Sequence, residues 1–313
     1  MDSCGTCRKI QNKLANQIFQ PMNFKGLQIV LQGDVVEWCR DKRLITSHHT
    51  CRHCRIPLSL IKDTDSPDGM TWRCKSCRIK ESIRKDSLFY ASHMSISQIL
   101  ELLYWFSIKL PVTQAAHECG INPNTAVEYY KIFRGICVEI SLGGEILGGE
   151  GKIVEIDEMK LGKRKFHRGK RVDGQWCFGG IERRENKDDP IRCFIIPVED
   201  RSKTTLLPII QNNIKDGTTI YSDCWKSYDC LKDEGYIHAS VNHSLHFKDP
   251  VTNVHTNNVE GMWNQVRRSL PKFGTRKEHY SKHLAEFVVR NRYRGENFFE
   301  LLINRLHEFV SWD

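Results

Sequence analysis

Nowhere among its 313 residues does this chain carry an apolar run near the roughly 20 residues that a bilayer crossing needs. Its first stretch, MDSCGTCRKIQNKLANQ, lacks the apolar segment of a secretory leader. It also lacks the even cysteine count of a disulfide framework: the cysteines number 13, which points to free thiols and metal ligands in a reducing compartment. From these absences neither a membrane partner nor an exported scaffold is expected. The expected location is the nucleus if the source is eukaryotic, or the nucleoid and cytoplasm if it is bacterial.

Positive charge is abundant and unevenly spread. The net charge is +9, with 16 Lys/Arg against 9 Asp/Glu in residues 1–90, 3 against 6 in 91–150, and 28 against 23 in 151–313. Two basic regions around a mildly acidic middle suit a polyanion such as double-stranded DNA.

Cys51-Arg-His-Cys54 and Cys74-Lys-Ser-Cys77 form two CxxC pairs separated by 19 residues. Each pair offers two thiolates from one tight turn, so together they can close a tetrahedral site around one structural zinc ion. The intervening IPLSLIKDTDSPDGMTWRC reads as two short strands about a Ser-Pro-Asp-Gly turn, the plan of a zinc ribbon. Arg52, Arg55, Arg73, Lys75, Arg78, Lys80, Arg84 and Lys85 make the ribbon basic, as phosphate contacts would require. The earlier Cys4 and Cys7 have partners for a second zinc only if Cys39, His48 or His49 joins them, and unpaired thiols are the simpler expectation.

Ile96, Ile99, Leu100, Leu103, Phe106 and Leu110 are spaced for a helix with one buried face. Thr113 is placed to cap a second helix ending at Gly120, and Asn122-Pro123 supplies a cap and a first-turn proline for a third. This is the helix-turn-helix pattern, with Lys131 and Arg134 as the only bases on the helix that would read DNA. Packing alone also explains three helices with net negative charge. The following SLGGEILGGEGK holds five glycines between 143 and 151 and reads as a flexible joint. The expected divisions are an N-terminal extension of unassigned role (1–45), a ribbon (46–90), a helix-turn-helix unit (91–142), the linker (143–151) and a mixed α/β domain (152–313).

In that last part KIVEIDEMKL, QWCFGGIERR and IRCFIIPVED read as an antiparallel meander, followed by a helix, the strand TTIYSD, and an amphipathic helix beginning near Asn257. Three acids stand out. Asp157 lies on the first strand, on one face with Glu155 and Met159, although Glu155 or Glu158 is an equal candidate by residue type. Asp223 ends the fourth strand, where an Asp also serves as a helix cap. Glu260 lies one turn into the helix, where Asn257-x-x-Glu260 also fits a capping box. Carboxylates on separate rigid elements are the protein's share of a site for hard divalent cations.

VEIDEMKLGKRKFHRGKRVDGQWCFGGIERR, TIYSDCWKSYD and VNHSLHFKDPVTNVHTNNVEGMWNQVRR together resemble the transposase domain of the Merlin superfamily and its bacterial insertion-sequence relatives, over about residues 148–295. The resemblance implies a ribonuclease-H-like DDE domain whose catalytic and magnesium-binding triad is Asp157, Asp223 and Glu260. It implies two Mg2+ (or Mn2+) ions per site, cleavage at element ends, joining of 3′-hydroxyls to target DNA, and a homodimer or higher oligomer in the synaptic complex. Alongside it, Lys163, Arg164, Lys165, His167, Arg168, Lys170 and Arg171 form a basic arm for DNA phosphates or nuclear import, and Arg267 and Arg268 follow Glu260 by two turns. His255, Asn258 and His243 are candidates to orient a carboxylate or phosphate, while Trp225 and Trp263 are expected in the core. The competing expectations are a host-adopted DNA-binding protein that no longer cuts, and a repair or RNA-degrading nuclease of the same fold.

Overall fold

The computed structural model describes residues 21–162, 174–242, 249–250, 252–271 and 277–309. They belong to two compact units: Met1–Ile136 with Glu296–Asp313, and Cys137–Gly295. The last helix thus groups with the N-terminal part rather than with the expected 152–313 domain.

In the first unit, α1 (Phe24–Gln32) and α2 (Val35–Asp41) occupy the stretch of unassigned role. Asn23 and Asp34 cap them, accepting from the N–H groups of Gly26 and Glu37. Strands β1 (Ser59–Lys62), β2 (Met70–Arg73) and β3 (Lys80–Ser82) form an antiparallel sheet around the two cysteine pairs. Then come α3 (Ile96–Ser107), α4 (Val112–Glu118) and α5 (Pro123–Leu142), whose residues from Cys137 onward belong to the second unit. A capping box between Ser95 and Gln98 starts α3. The cap of α4 is Pro111, not Thr113, because the Ala115 N–H already bonds the Pro111 carbonyl at 2.9 Å and so places Thr113 inside the helix. Gly120 at φ +62° turns the chain, and the Asn122 side chain accepts from the Asn124 N–H as expected at the start of α5.

The final helix, α9 (Phe298–Phe309), closes this core for a visible reason: its aromatics sit against α3. Phe299 lies 5.7 Å from Tyr104 and Phe298 6.5 Å from Phe106, ring to ring, while Phe24 of α1 stacks on Trp105 at 4.5 Å. Asn297 and Glu300 also bond the backbone of Met22. Residues from 21 onward are therefore a structural buttress of the helical unit.

The second unit is built on a five-stranded sheet of order β10-β9-β5-β6-β7. In chain order it contains β4 (Leu147–Gly148), β5 (Ile153–Leu161), β6 (Gln175–Glu182), β7 (Cys193–Val198), α6 (Lys203–Asn213), β8 (Ile214–Lys215), β9 (Thr219–Asp223), a 3-10 turn (Lys226–Lys232), β10 (Ile237–Val241), α7 (Asn257–Ser269) and α8 (Tyr280–Arg292). The meander β5-β6-β7 is antiparallel, while β9 runs parallel to β5 and β10 parallel to β9.

Alternation along β5 divides the core. Met159 and Leu161 face α7 and α8, packing with Val259, Met262, Trp263, Leu284 and Phe287. Val154 and Ile156 face the other layer, packing with Leu206 and Ile210 of α6 and with Tyr228 and Leu231. The glycine-rich 143–151 segment, expected to be a joint, is folded onto this unit. Gly148 and Gly149 donate N–H bonds to Glu182 and to the Thr218 hydroxyl, and a Cβ on Gly148, at φ +78°, would lie 2.2 Å from that hydroxyl oxygen. These glycines serve close approach rather than flexibility.

Candidate metal and DNA-processing site

Parallel pairing sets the first two acids side by side. β5 and β9 are in register as Val154↔Ile220 and Glu155↔Tyr221, so the same offset brings Asp157 level with Asp223 where β9 ends. Glu260 approaches from α7, whose buried stripe is Val259, Met262, Trp263 and Val266, as the sequence periodicity indicated. Across the other edge of Asp157 the paired residue is Gly179. A Cβ there would stand 2.8 Å from the Trp263 ring, so the missing side chain is what lets α7 lie close on the sheet.

The three acids feel one another. Burial raises the Asp157 carboxyl to about 7, with Glu158, Asp223 and Glu260 adding to the rise through their like charge. A buried carboxyl surrounded by acids has the electrostatic demand that a divalent cation meets, and every donor in the set is a hard oxygen. The donor type thus suits such an ion, although among the described residues the four cysteines, and not these acids, have ligand atoms drawn within 4.8 Å of one another.

The bland alternatives for Asp223 and Glu260 fare differently. Asp223 accepts from the Trp225 N–H at 3.1 Å, a short turn that leaves its second oxygen for other work. The capping box on α7 does not form. Thr256 is the N-cap with no side-chain cap bond, and Glu260 takes a long bond from the Thr256 hydroxyl, at 3.3 Å.

The α7 terminus is instead capped from the neighbouring sheet. Glu155, fully buried on β5, accepts from the backbone N–H of Asn258 (2.8 Å) and of Val259 (3.1 Å) and from the Asn258 side chain (2.7 Å). Arg183 donates to it at 2.6 Å and also bonds the carbonyl of His255 at 2.9 Å. Of the suggested orienting residues, Asn258 bonds the carboxylate of Glu155, while the His255 ring stands 3.6 Å from it. Sequence reasoning missed this role for Glu155, as well as Arg183. The available signal was Glu155 sharing a face with Asp157 two residues away.

Glu158 faces the opposite layer, where the buried Tyr228 hydroxyl donates to it and Arg201 stands 3.9 Å away. Burial raises its carboxyl as well, with Asp223 contributing. Trp225, expected in the core, is at the surface with 36% exposure; Trp263 is buried as expected. On α7, Arg267 and Arg268 are exposed, with Arg267 3.4 Å from the Asn264 side chain. Lys163, Arg164, Lys165, His167, Arg168, Lys170, Arg171 and His243 lie outside the described residues.

In the other unit the four cysteine sulfurs lie within 4.8 Å of one another. The two turns are alike: Arg55 and Arg78 both have φ 60°, and their N–H groups donate to the carbonyls of Cys51 and Cys74. The Cys77 N–H holds the Cys74 thiol down to about 6. Four sulfurs at this spacing match a closed tetrahedral zinc site. Cys39 is buried and does not join the four sulfurs, and Cys4 and Cys7 lie outside the described residues.

Several bases expected to meet phosphate are occupied. Arg84 is buried, holding both oxygens of Asp68 at 2.6 Å and the Met94 carbonyl, while Lys80 pairs with Asp63 and Lys85 with Glu81. Arg52, Arg55, Arg73, Lys75 and Arg78 remain exposed. Lys131 pairs with Glu128 at 2.6 Å, and the Arg134 guanidinium lies 5.8 Å from the centres of the Phe106 and Tyr130 rings.

Comparison with known proteins places this geometry in context. Residues 142–295 match the ISXO2-like transposase domain. An uncharacterized transposase-like protein of Haemophilus influenzae is 34% identical over 96 residues, covering 30% of this chain and 76% of that protein. The crystal structure of a pre-cleavage Mos1 transpososome is a looser neighbour, at 11% identity and a TM-score of 0.25, covering 67% of this chain and 75% of that one. No described helix is long and apolar enough to cross a membrane.

Proposed function

The chain belongs to the family of ISXO2-like transposases, and from that premise we propose a DDE-type DNA transposase whose catalytic acids are Asp157, Asp223 and Glu260. The observation that carries this reading is the parallel register of β5 beside β9, whose offset continued by two residues sets Asp157 opposite Asp223; burial and Glu158 first, then Asp223 and Glu260, raise the Asp157 carboxyl to about 7. The mixed sheet, with β5 central and β9 parallel beside it, supports the ribonuclease-H-like architecture.

In this reading the three carboxylates hold magnesium or manganese. Bound there, two such ions supply activation of a water or 3′-hydroxyl and stabilisation of the leaving oxygen during in-line displacement at phosphorus. The chain's own part is placement. Asp157 and Asp223 are fixed by parallel pairing, and Glu260 by the clamp of Glu155 on the first turn of α7. Arg267 and Arg268, exposed on α7, track the DNA backbone beyond Glu260. Cys51, Cys54, Cys74 and Cys77 hold one zinc, whose ribbon presents Arg52, Arg55, Arg73, Lys75 and Arg78 to phosphates. Helices α3 to α5 form the helix-turn-helix partner of that ribbon. Since Lys131 and Arg134 are engaged within the protein, the exposed start of α5 around Pro123, Asn124 and Val127 is the surface offered to the groove. Joining two element ends requires at least a dimer.

The test is strand transfer of an oligonucleotide duplex carrying the element ends, in magnesium, with wild type and Asp223→Asn. Transfer by wild type and its loss in the variant are expected. Equal activity of the two overturns the assignment, and end binding without any cutting by wild type favours the host-adopted DNA-binding reading.

A further inference from the structure

Beside the acids, on the face of the sheet opposite α7, lies a column of alternating cations and indoles. Lys160 stands 5.5 Å from the centre of the Trp176 ring, and Arg201 lies 4.2 Å from Trp176 and 4.3 Å from Trp225. Trp225 ends the column. It is the only tryptophan among the described residues with large exposure, and it follows Asp223 by two positions.

The ring is exposed but held in place. Its Nε1 donates to the Arg201 carbonyl at 3.1 Å, the Ser227 hydroxyl donates to the same carbonyl at 2.8 Å, and its own backbone N–H is tied to Asp223. Arg201 is in turn oriented by Glu158, 3.9 Å away. A lone exposed apolar side chain needs no explanation. An indole locked by its ring nitrogen and by a guanidinium, at the tip of a strand ending in an acid, is a preformed flat surface. Its ordering entropy is already spent, so a planar ligand that stacks on it meets little further cost.

We propose that Trp225 is a stacking platform for one unpaired nucleobase of the DNA strand handled at the neighbouring acids. Charge and geometry together select this ligand. A base inside a duplex has both faces covered by its neighbours, whereas a base at a frayed or overhanging end offers one to the indole. Stacking needs no base-specific hydrogen bond, so any base is accepted, purines better than pyrimidines for their larger area. The exposed Lys226, next to Trp225 in the chain, supplies positive charge for the nucleotide's phosphate.

The inference rests on the reading that DNA is bound at the three acids, and the experiment separates the two. The full chain, with zinc retained and no magnesium added, is titrated with a duplex bearing a three-nucleotide 3′ overhang that contains 2-aminopurine, and with the blunt duplex of the same sequence. Wild type is expected to quench the aminopurine. Trp225→Ala is expected to lose that quenching and to bind the overhang about 5- to 150-fold more weakly, with blunt duplex binding unchanged and Trp225→Phe restoring most of the affinity. Overhang binding and quenching by Trp225→Ala equal to wild type overturn the platform. So does an equal loss on both duplexes that Trp225→Phe fails to restore, because that pattern reports a structural role. Adding magnesium then tests the other reading: quenching without cleavage keeps the platform and overturns the nuclease, whereas cleavage with no effect of Trp225→Ala on overhang binding does the reverse.

Discussion

Glu155 on β5 accepts the backbone N–H of Asn258 at 2.8 Å, so a strand carboxylate caps the helix that carries Glu260. The same residue takes the Val259 N–H and the Arg183 guanidinium, and it is fully buried. Removing it leaves two helix N–H groups without their acceptor and takes the carboxylate from the partly exposed Arg183. Glu155→Ala is therefore expected to cost about 2–4 kcal/mol of stability, the consequence of leaving buried donors unsatisfied. Urea denaturation of wild type and variant checks this, and a loss below about 1 kcal/mol contradicts the capping role.

Gly179 lies under Trp263, one helical turn beyond Glu260. Gly179→Ala places a methyl 2.8 Å from the indole and must push α7 outward. A modest destabilisation of about 1–3 kcal/mol is expected, with a loss of DNA cleavage larger than the loss of folded protein. Activity measured per folded molecule in the magnesium assay separates the two effects.

Much of this arrangement was legible before any coordinates. The buried stripe of α7, the β5-β6-β7 meander and the two cysteine turns follow from periodicity and spacing, which act locally. The source of the α7 cap was not legible. Asn257-x-x-Glu260 satisfies the capping-box pattern, but the structure fills those N–H groups from Glu155, about 100 residues earlier. Local pattern cannot reveal a partner supplied by tertiary contact. Gly148 and Gly149 show a related limit, since composition gives the same signal for a loose joint and for a backbone held against Glu182 and Thr218. Arg84 shows a third limit: it counts as positive charge in the sequence, yet it is buried on Asp68.

Four sulfurs within 4.8 Å lead to a zinc prediction. Purified protein should contain one zinc per chain, and chelation or Cys74→Ser should release it. With the metal gone, the small β1-β2-β3 sheet has little core to hold it, so limited proteolysis should cut between residues 51 and 77 first. Metal analysis and mass mapping of the fragments test this directly.

The raised Asp157 carboxyl gives a pH signature in the absence of divalent ions. An ordinary aspartate releases its proton near 3.8, whereas Asp157 in the fold does so near 7. Between these values the folded state binds more protons than the unfolded one. Stability is therefore expected to fall as pH rises from about 4 to about 7 and to level off above, by at most about 4 kcal/mol. The difference in melting behaviour between wild type and Asp157→Asn across pH 5 to 8 isolates this contribution, and magnesium should flatten it by binding the ionised carboxylate.

The central claim is that Asp157, Asp223 and Glu260 form one divalent-ion site. Manganese binding by the zinc-loaded full chain, followed by electron paramagnetic resonance, tests it most directly. Wild type should bind manganese, and Asp157→Asn, Asp223→Asn and Glu260→Gln should each weaken that binding by at least tenfold while still unfolding in one cooperative transition at or above the melting temperature of ion-free wild type. Retention of wild-type manganese affinity by any one of the three variants contradicts the account.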